Sequence, residues 1–137
     1  MVLVSVVIPS FNRHKEVVRA VKSALNQTLA PLEVIVSNDG PDPDKRCLLA
    51  MLDDQRIRYL EAPRRARVSA SRNYGIAHAR GDWVALLDDD DIWLPEKLEK
   101  QFKALQQNDS DNKGAIIVGV EEAYMPWGGK FLRPKKV

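Results

Sequence analysis

"VALLDDDDIWLP", residues 84–95, runs a short apolar segment straight into four consecutive carboxylates, Asp88, Asp89, Asp90 and Asp91. Two carboxylates about 4 Å apart repel by roughly 4 kcal/mol at an effective dielectric of 20. Water and salt relieve that repulsion on an exposed loop. A divalent cation relieves it at the mouth of a sheet. Here the acids cap a segment that reads as a buried strand, and Ile92, Trp93 and Leu94 pull the loop against a core. That context favours the cation. Hard oxygen ligands suit Mg²⁺ or Mn²⁺, which are usually held by one or two carboxylates plus substrate phosphates. The loop presents alternate residues to one side, so Asp88 and Asp90 are the first choice, with Asp89 or Asp91 replacing or supporting them.

Outward from this stretch, strands and helices alternate. "LVSVVIP" (3–9) is a β-branched run closed by proline and reads as a strand buried on both faces, as in a parallel sheet. Asn12 is placed to cap a helix in which Val17, Val18, Ala20, Val21, Ala24, Leu25 and Thr28 recur at helical spacing. "EVIVSNDG" (33–40) is a second buried strand. Asp42 can cap the next helix with Pro43 at its first position. Cys47, Leu48, Met51 and Leu52 supply that helix's apolar stripe, with Cys47 in the core. "RIRYLEA" (56–62) is a short third strand, 68–79 a helix stopped near Gly81, and "WVALL" (83–87) the fourth strand. Pro95 opens a helix with Leu98, Phe102 and Leu105 on one face. "AIIVGV" (115–120) is a fifth strand, followed by a hairpin-like "WGGK". The alternation predicts an α/β fold, a mostly parallel sheet flanked by helices with right-handed crossovers.

Ligands of such sheets bind beyond the carboxyl ends of the strands. Three polar clusters fall there: "SFNR" after the first strand, "SNDGPD" after the second and "DDDD" after the fourth. Scattered surface charge would not need to choose those positions. Asp39 can accept hydrogen bonds from a nucleobase or ribose, or simply shape an Asx turn beside Gly40. "RRARVSASR" offers Arg64, Arg65, Arg67 and Arg72, and a guanidinium can grip a diphosphate through paired hydrogen bonds. Arg72 stands out because small residues flank it. His14 and His78 lack metal-ligand spacing and read as helix-surface residues. Trp93 reads as a core plug, and Ser69 and Ser71 have no nucleophile partner.

The 137 residues suit a single domain, 1–137, and 45% hydrophobic with 29% charged residues is a globular composition. A net charge of +2, with no aromatics interleaved among the basic residues, argues against nucleic acid as a partner. Cys47 is the single cysteine, which excludes an internal disulfide and fits a reducing compartment. There is no basic leader and no run near the ~20 apolar residues of a membrane span. The expectation is a cytoplasmic protein, with peripheral membrane association and homo-oligomerisation left open.

With these clusters placed, the sequence resembles the family 2 glycosyltransferases of the GT-A fold, whose Rossmann-like nucleotide-sugar-binding domain it would share. The matching pieces are "SVVIPSFNR", "EVIVSNDG" and "SASRNYGIAHARGDWVALLDDDDIWLPEKLEKQ", in the family's order and spacing over about Val4 to Gln101. The resemblance implies transfer of a sugar, with inversion, from a nucleotide-diphosphate donor to a glycan, lipid or protein acceptor. Manganese or magnesium would assist, in cell-wall or polysaccharide biosynthesis. UDP is the expected nucleotide by the same analogy. Carried over residue by residue, Pro9 and Phe11 would lie at the nucleotide pocket, Asp39 at the base and Arg72 near the diphosphate. Asp88 and Asp90 would face ribose and metal, with Asp89 at the nucleotide sugar and Asp91 supporting the metal. Where the family usually shows two acids before the glycine of the second motif, this chain has Asn38 first; where serine commonly follows, it has Pro41. Only 46 residues follow Asp91 (137 minus 91), and among the acids beyond the proline-led helix Glu121 and Glu122 are the candidates for a catalytic base. The expectation is therefore a donor-binding half lacking most of the acceptor half. The alternative is a nucleotide-sugar-binding module without transferase activity. A nucleotidyltransferase is disfavoured because "IPSFNR" has no glycine.

Overall fold

The structure, a computed structural model, describes residues 2–64 and 67–108. The expected fifth strand, the hairpin, Arg65, Glu121 and Glu122 lie outside the described residues. Eight elements follow in strict alternation: β1 (Val4–Ser10), α1 (His14–Leu25), β2 (Glu33–Asp39), α2 (Pro43–Ala50), β3 (Ile57–Ala62), α3 (Arg67–Ala77), β4 (Trp83–Leu86) and α4 (Lys97–Asn108). The four described strands form one parallel sheet in the order β3-β2-β1-β4. The two β-branched runs, β1 and β2, take the centre, where both faces are covered. That is why they carry no polar alternation.

On one face Val4, Val6, Ile8, Val34 and Val36 pack against Val17, Ala20, Val21 and Ala24 of α1, Leu49 of α2 and Leu98 of α4. The other face meets α3 at close range. A Cβ added at Gly75 would stand 2.5 Å from Val7 Cγ1 and 3.2 Å from Ser37 Cβ, so only glycine lets the helix approach this near. The turn entering α4 is pinned to the end of α1. Gln27 donates to the Leu94 carbonyl (2.7 Å) and accepts from the Leu98 amide (3.0 Å), while Ser23 Oγ accepts from the Trp93 amide (3.1 Å). These bonds fix the exit of the acidic loop.

Several local expectations are corrected. Asn12 does not cap α1: it sits in the left-handed region at φ 52°, and Arg13 holds the N-cap position without a side-chain cap bond. Asparagine tolerates that conformation, so it serves the turn instead. Thr28 lies beyond α1; its amide bonds the Pro95 carbonyl at 2.9 Å. Cys47 is exposed, as are Leu48 and Met51. The buried stripe of α2 is Lys45 and Leu49, one turn apart. β4 is not buried on both faces. It ends the sheet among the described strands, with Val84 39% and Leu86 45% exposed. The Asp42 cap is found as read, accepting from the Lys45 amide at 3.0 Å, with Pro43 opening α2.

Candidate functional site

The sheet places Ser10, Asp39 and Leu87 at the carboxyl ends of β1, β2 and β4, so the three polar clusters converge on one rim. The acidic loop does not present its four carboxylates alike. Asp88 is exposed and accepts from Arg72 Nη2 of α3 at 3.0 Å. Asp90 accepts from Arg13 Nη1 at 2.5 Å. Asp89 turns inward, 8% exposed, and accepts from the Ser10 hydroxyl and the Phe11 amide, with Arg13 Nε 3.7 Å away. Asp91 has no cation against it among the described residues.

The electrostatics follow from that placement. Desolvation raises the Asp89 carboxyl above the ordinary aspartate range, opposed by Ser10, Arg13 and the Phe11 amide. Desolvation also raises Asp91, and there the charges of Asp90, Asp88 and Asp89 add to it. Among the described residues the loop thus carries one carboxylate whose charge no cation answers. At the rim of β2, Gly40 adopts φ 81° as the tight turn requires, and the Arg64 side chain lies across it. Asp39 is half-buried at that turn. Phe11 is 58% exposed at the mouth, and Pro9 is buried in β1.

The structure brings Arg72 against Asp88, and Asp89, expected at the nucleotide sugar, turns inward. Its inward anchoring makes it a tether between the loop and the end of β1. Sequence reasoning missed three residues. Arg13 lay inside a cluster already singled out, and its proximity to acids 77 positions away is a tertiary fact. Ser10 is the hydroxyl at the tip of β1. Lys45 falls on the same stripe as Leu49 and was not singled out. His14 was read as a plain surface residue, yet its Nε2 lies 3.0 Å from Asp42 Oδ2.

Among the described residues no group of three histidine, cysteine or acidic side chains is assembled as a complete cation site, and no helix is long and apolar enough to cross a membrane. The rim offers hard oxygen donors on one side and guanidinium groups on the other. That combination suits a cation and a polyanion together, and fits neither alone as well.

The chain is 29% identical over 144 residues to the UDP-Glc:alpha-D-GlcNAc-diphosphoundecaprenol beta-1,3-glucosyltransferase WfgD of Escherichia coli, which covers 98% of this chain and 53% of that one. It is 35% identical over 130 residues to the succinoglycan biosynthesis protein ExoO of Rhizobium meliloti, covering 95% and 36%. The chain therefore spans about half or less of the length of these curated relatives. A crystal structure of S. aureus TarS 1–349 in complex with UDP superposes with a TM-score of 0.65 at 21% identity, over 77% of this chain and 32% of that one. That likeness places the parallel sheet and its helices in the GT-A fold. The family model described as glycosyl transferase family 2 matches residues 5–132. This chain belongs to glycosyl transferase family 2.

Proposed function

We propose that this chain forms the donor-binding part of an inverting glycosyltransferase that takes its sugar from a nucleotide diphosphate, UDP by the analogy of its relatives, with Mn²⁺ or Mg²⁺. One observation carries the reading. Among the described residues Asp91 has like charges around it and no cation against it, while Arg13 and Arg72 make their ion pairs with the loop's other aspartates.

The chemistry of the donors suits the metal: Asp88, Asp90 and Asp91 are hard oxygen donors that would supply part of a coordination sphere, with diphosphate oxygens completing it. When bound, such an ion neutralises the charge that grows on the departing nucleoside diphosphate. The chain's own residues do the rest. Asp39 accepts hydrogen bonds from the base. Arg72, which pairs with Asp88 in the free protein, would turn its fork to the diphosphate. Arg13, which pairs with Asp90, would do the same. Phe11 gives the mouth an apolar wall. The acceptor hydroxyl, in a glycan, lipid or protein, attacks the face opposite the leaving group, and a carboxylate base takes its proton. Glu121 and Glu122 stand for that role only as sequence candidates.

Thermal unfolding tests the reading. A ligand at a hundredfold excess over its Kd stabilises by about 2.7 kcal/mol. Mn²⁺ with UDP should raise the Tm well above either alone, and Asp90→Asn should abolish the metal-dependent increment. An unchanged increment in Asp90→Asn removes Asp90 from the ligand set. A wild-type Tm indifferent to Mn²⁺ and UDP together overturns the reading. Binding without transfer to any acceptor would leave a nucleotide-sugar-binding module.

A further inference from the structure

Lys45 heads the largest fully buried side chains among the described residues, with none of its side chain exposed. A buried ammonium is costly unless its protons are all placed. All three are. Nζ donates to Ser10 Oγ at 2.9 Å and to Asn38 Oδ1 at 2.5 Å, and lies 3.7 Å from Asp42 Oδ2. Each hydrogen bond is the first link of an arm. Ser10, having accepted from Lys45, donates its own hydroxyl proton to Asp89 in the acidic loop. Asn38, having accepted from Lys45, donates through Nδ2 to the Gly40 carbonyl at 2.7 Å and so holds the turn that carries Asp39.

Desolvation pulls the Lys45 pKa below the ordinary lysine value, and the charges of Asp42 and Asp89 oppose that pull. A methionine or leucine would fill the same stripe of α2 at no electrostatic cost. Asn38 is neutral, so the lysine is not there to neutralise a charge at that position. What it does is join the two loops.

We propose that Lys45 is a positioning residue that couples the base-reading turn at Asn38–Gly40 to the acidic loop through Ser10 and Asp89, so that nucleoside binding tightens cation binding through the protein itself. The inference rests on the nucleotide-diphosphate reading of the rim. Ordering one arm draws the Lys45 ammonium into a fixed position and thereby orders the other.

The test must remove the diphosphate, which would link base and cation directly. Mn²⁺ affinity of the 1–137 chain is measured by calorimetry with and without saturating uridine, which has no phosphate. Wild type should bind Mn²⁺ about fivefold more tightly with uridine, the lower end of usual coupling strengths. Lys45→Met and Ser10→Ala should each bring that ratio to one. Ser10→Ala cuts the arm to Asp89 while leaving the lysine in place, so it decides the matter if Lys45→Met fails to fold. A purely structural lysine would lower stability in these variants and leave the ratio untouched. A wild-type ratio of one, or a ratio that survives Ser10→Ala, overturns the proposal while Mn²⁺–UDP binding still upholds the site. Absence of Mn²⁺–UDP binding in wild type overturns both.

Discussion

The two ends of the sheet each bury a carboxylate, and they treat it in opposite ways. At the amino ends of the strands, Glu33 is 4% exposed and fully answered. It accepts from Ser5 Oγ, Arg58 Nη1 and the Arg80 amide, each at 2.7 Å. Ser5 in turn accepts from the Gly81 amide at 2.8 Å, and Arg58 also donates to the His78 carbonyl at 2.9 Å. This cluster ties the end of α3 and the entry to β4 onto the sheet. At the carboxyl ends, Asp89 is anchored but Asp91 is left with like charges around it. The first pole is closed chemistry and belongs to the fold. The second is incomplete, and its incompleteness is what a ligand can use.

Breaking the closed pole should have the largest effect on stability. Glu33→Ala strands Arg58 and the Arg80 amide and should cost about 3 kcal/mol in urea unfolding. Its Kd for Mn²⁺–UDP should stay within about twofold once folded protein is assayed, because nothing at the rim is touched. A tenfold loss of binding would show that the poles are not independent. Next in size is Gly75→Ala, which drives a methyl into Val7 and should cost about 2 kcal/mol. Since α3 carries Arg72, this variant should weaken nucleotide binding as well, which Glu33→Ala should not.

Asp91→Asn should act in the other direction. Removing the unanswered charge should stabilise the ligand-free protein by about 0.5 kcal/mol and remove much of the Mn²⁺-dependent rise in Tm. The pH dependence has a definite sign. A carboxyl raised in the folded state binds more protons there than in the unfolded chain, so its stability contribution falls as pH rises from the ordinary aspartate value, near 4, through the folded value. The advantage of Asp91→Asn should therefore be present at pH 7 and vanish below about pH 4. Glu33 and Asp42 run oppositely. Both are held below the ordinary carboxylate range, against desolvation, by hydrogen bonds and nearby charge. Their contribution is present above the ordinary value and lost as pH falls through the folded one. Urea unfolding at pH 4 and pH 7 on the two variants separates the poles.

How much of this was legible depends on how local the chemistry is. The central strands, the Asp42–Pro43 start of α2 and the tight turn at Gly40 are set by neighbours in sequence, and they appear where the residues predicted them. The convergence of three polar clusters was legible too, because a parallel sheet brings every strand's carboxyl end to one edge. The misreadings are tertiary. Lys45 finds Ser10 35 positions away, and no helical period distinguishes a buried ammonium from a solvated one. Cys47 and Leu49 are two residues apart, and only the tilt of α2 decides which of them faces Leu52 and the core. β4 reads as a buried strand by composition, but its place at the sheet's end in the described residues was invisible to a pattern that sees one strand at a time.

Beyond the acidic loop, the Lys97 ammonium sits 3.7 Å from the centre of the Trp93 ring, and desolvation lowers its pKa to about 8. The protein thus carries its own optical gauge two residues from Asp91. Indole emission should change as the cation is lost near pH 8, and the midpoint should move when Mn²⁺ and UDP settle nearby, so that occupancy of the rim can be followed without any added dye.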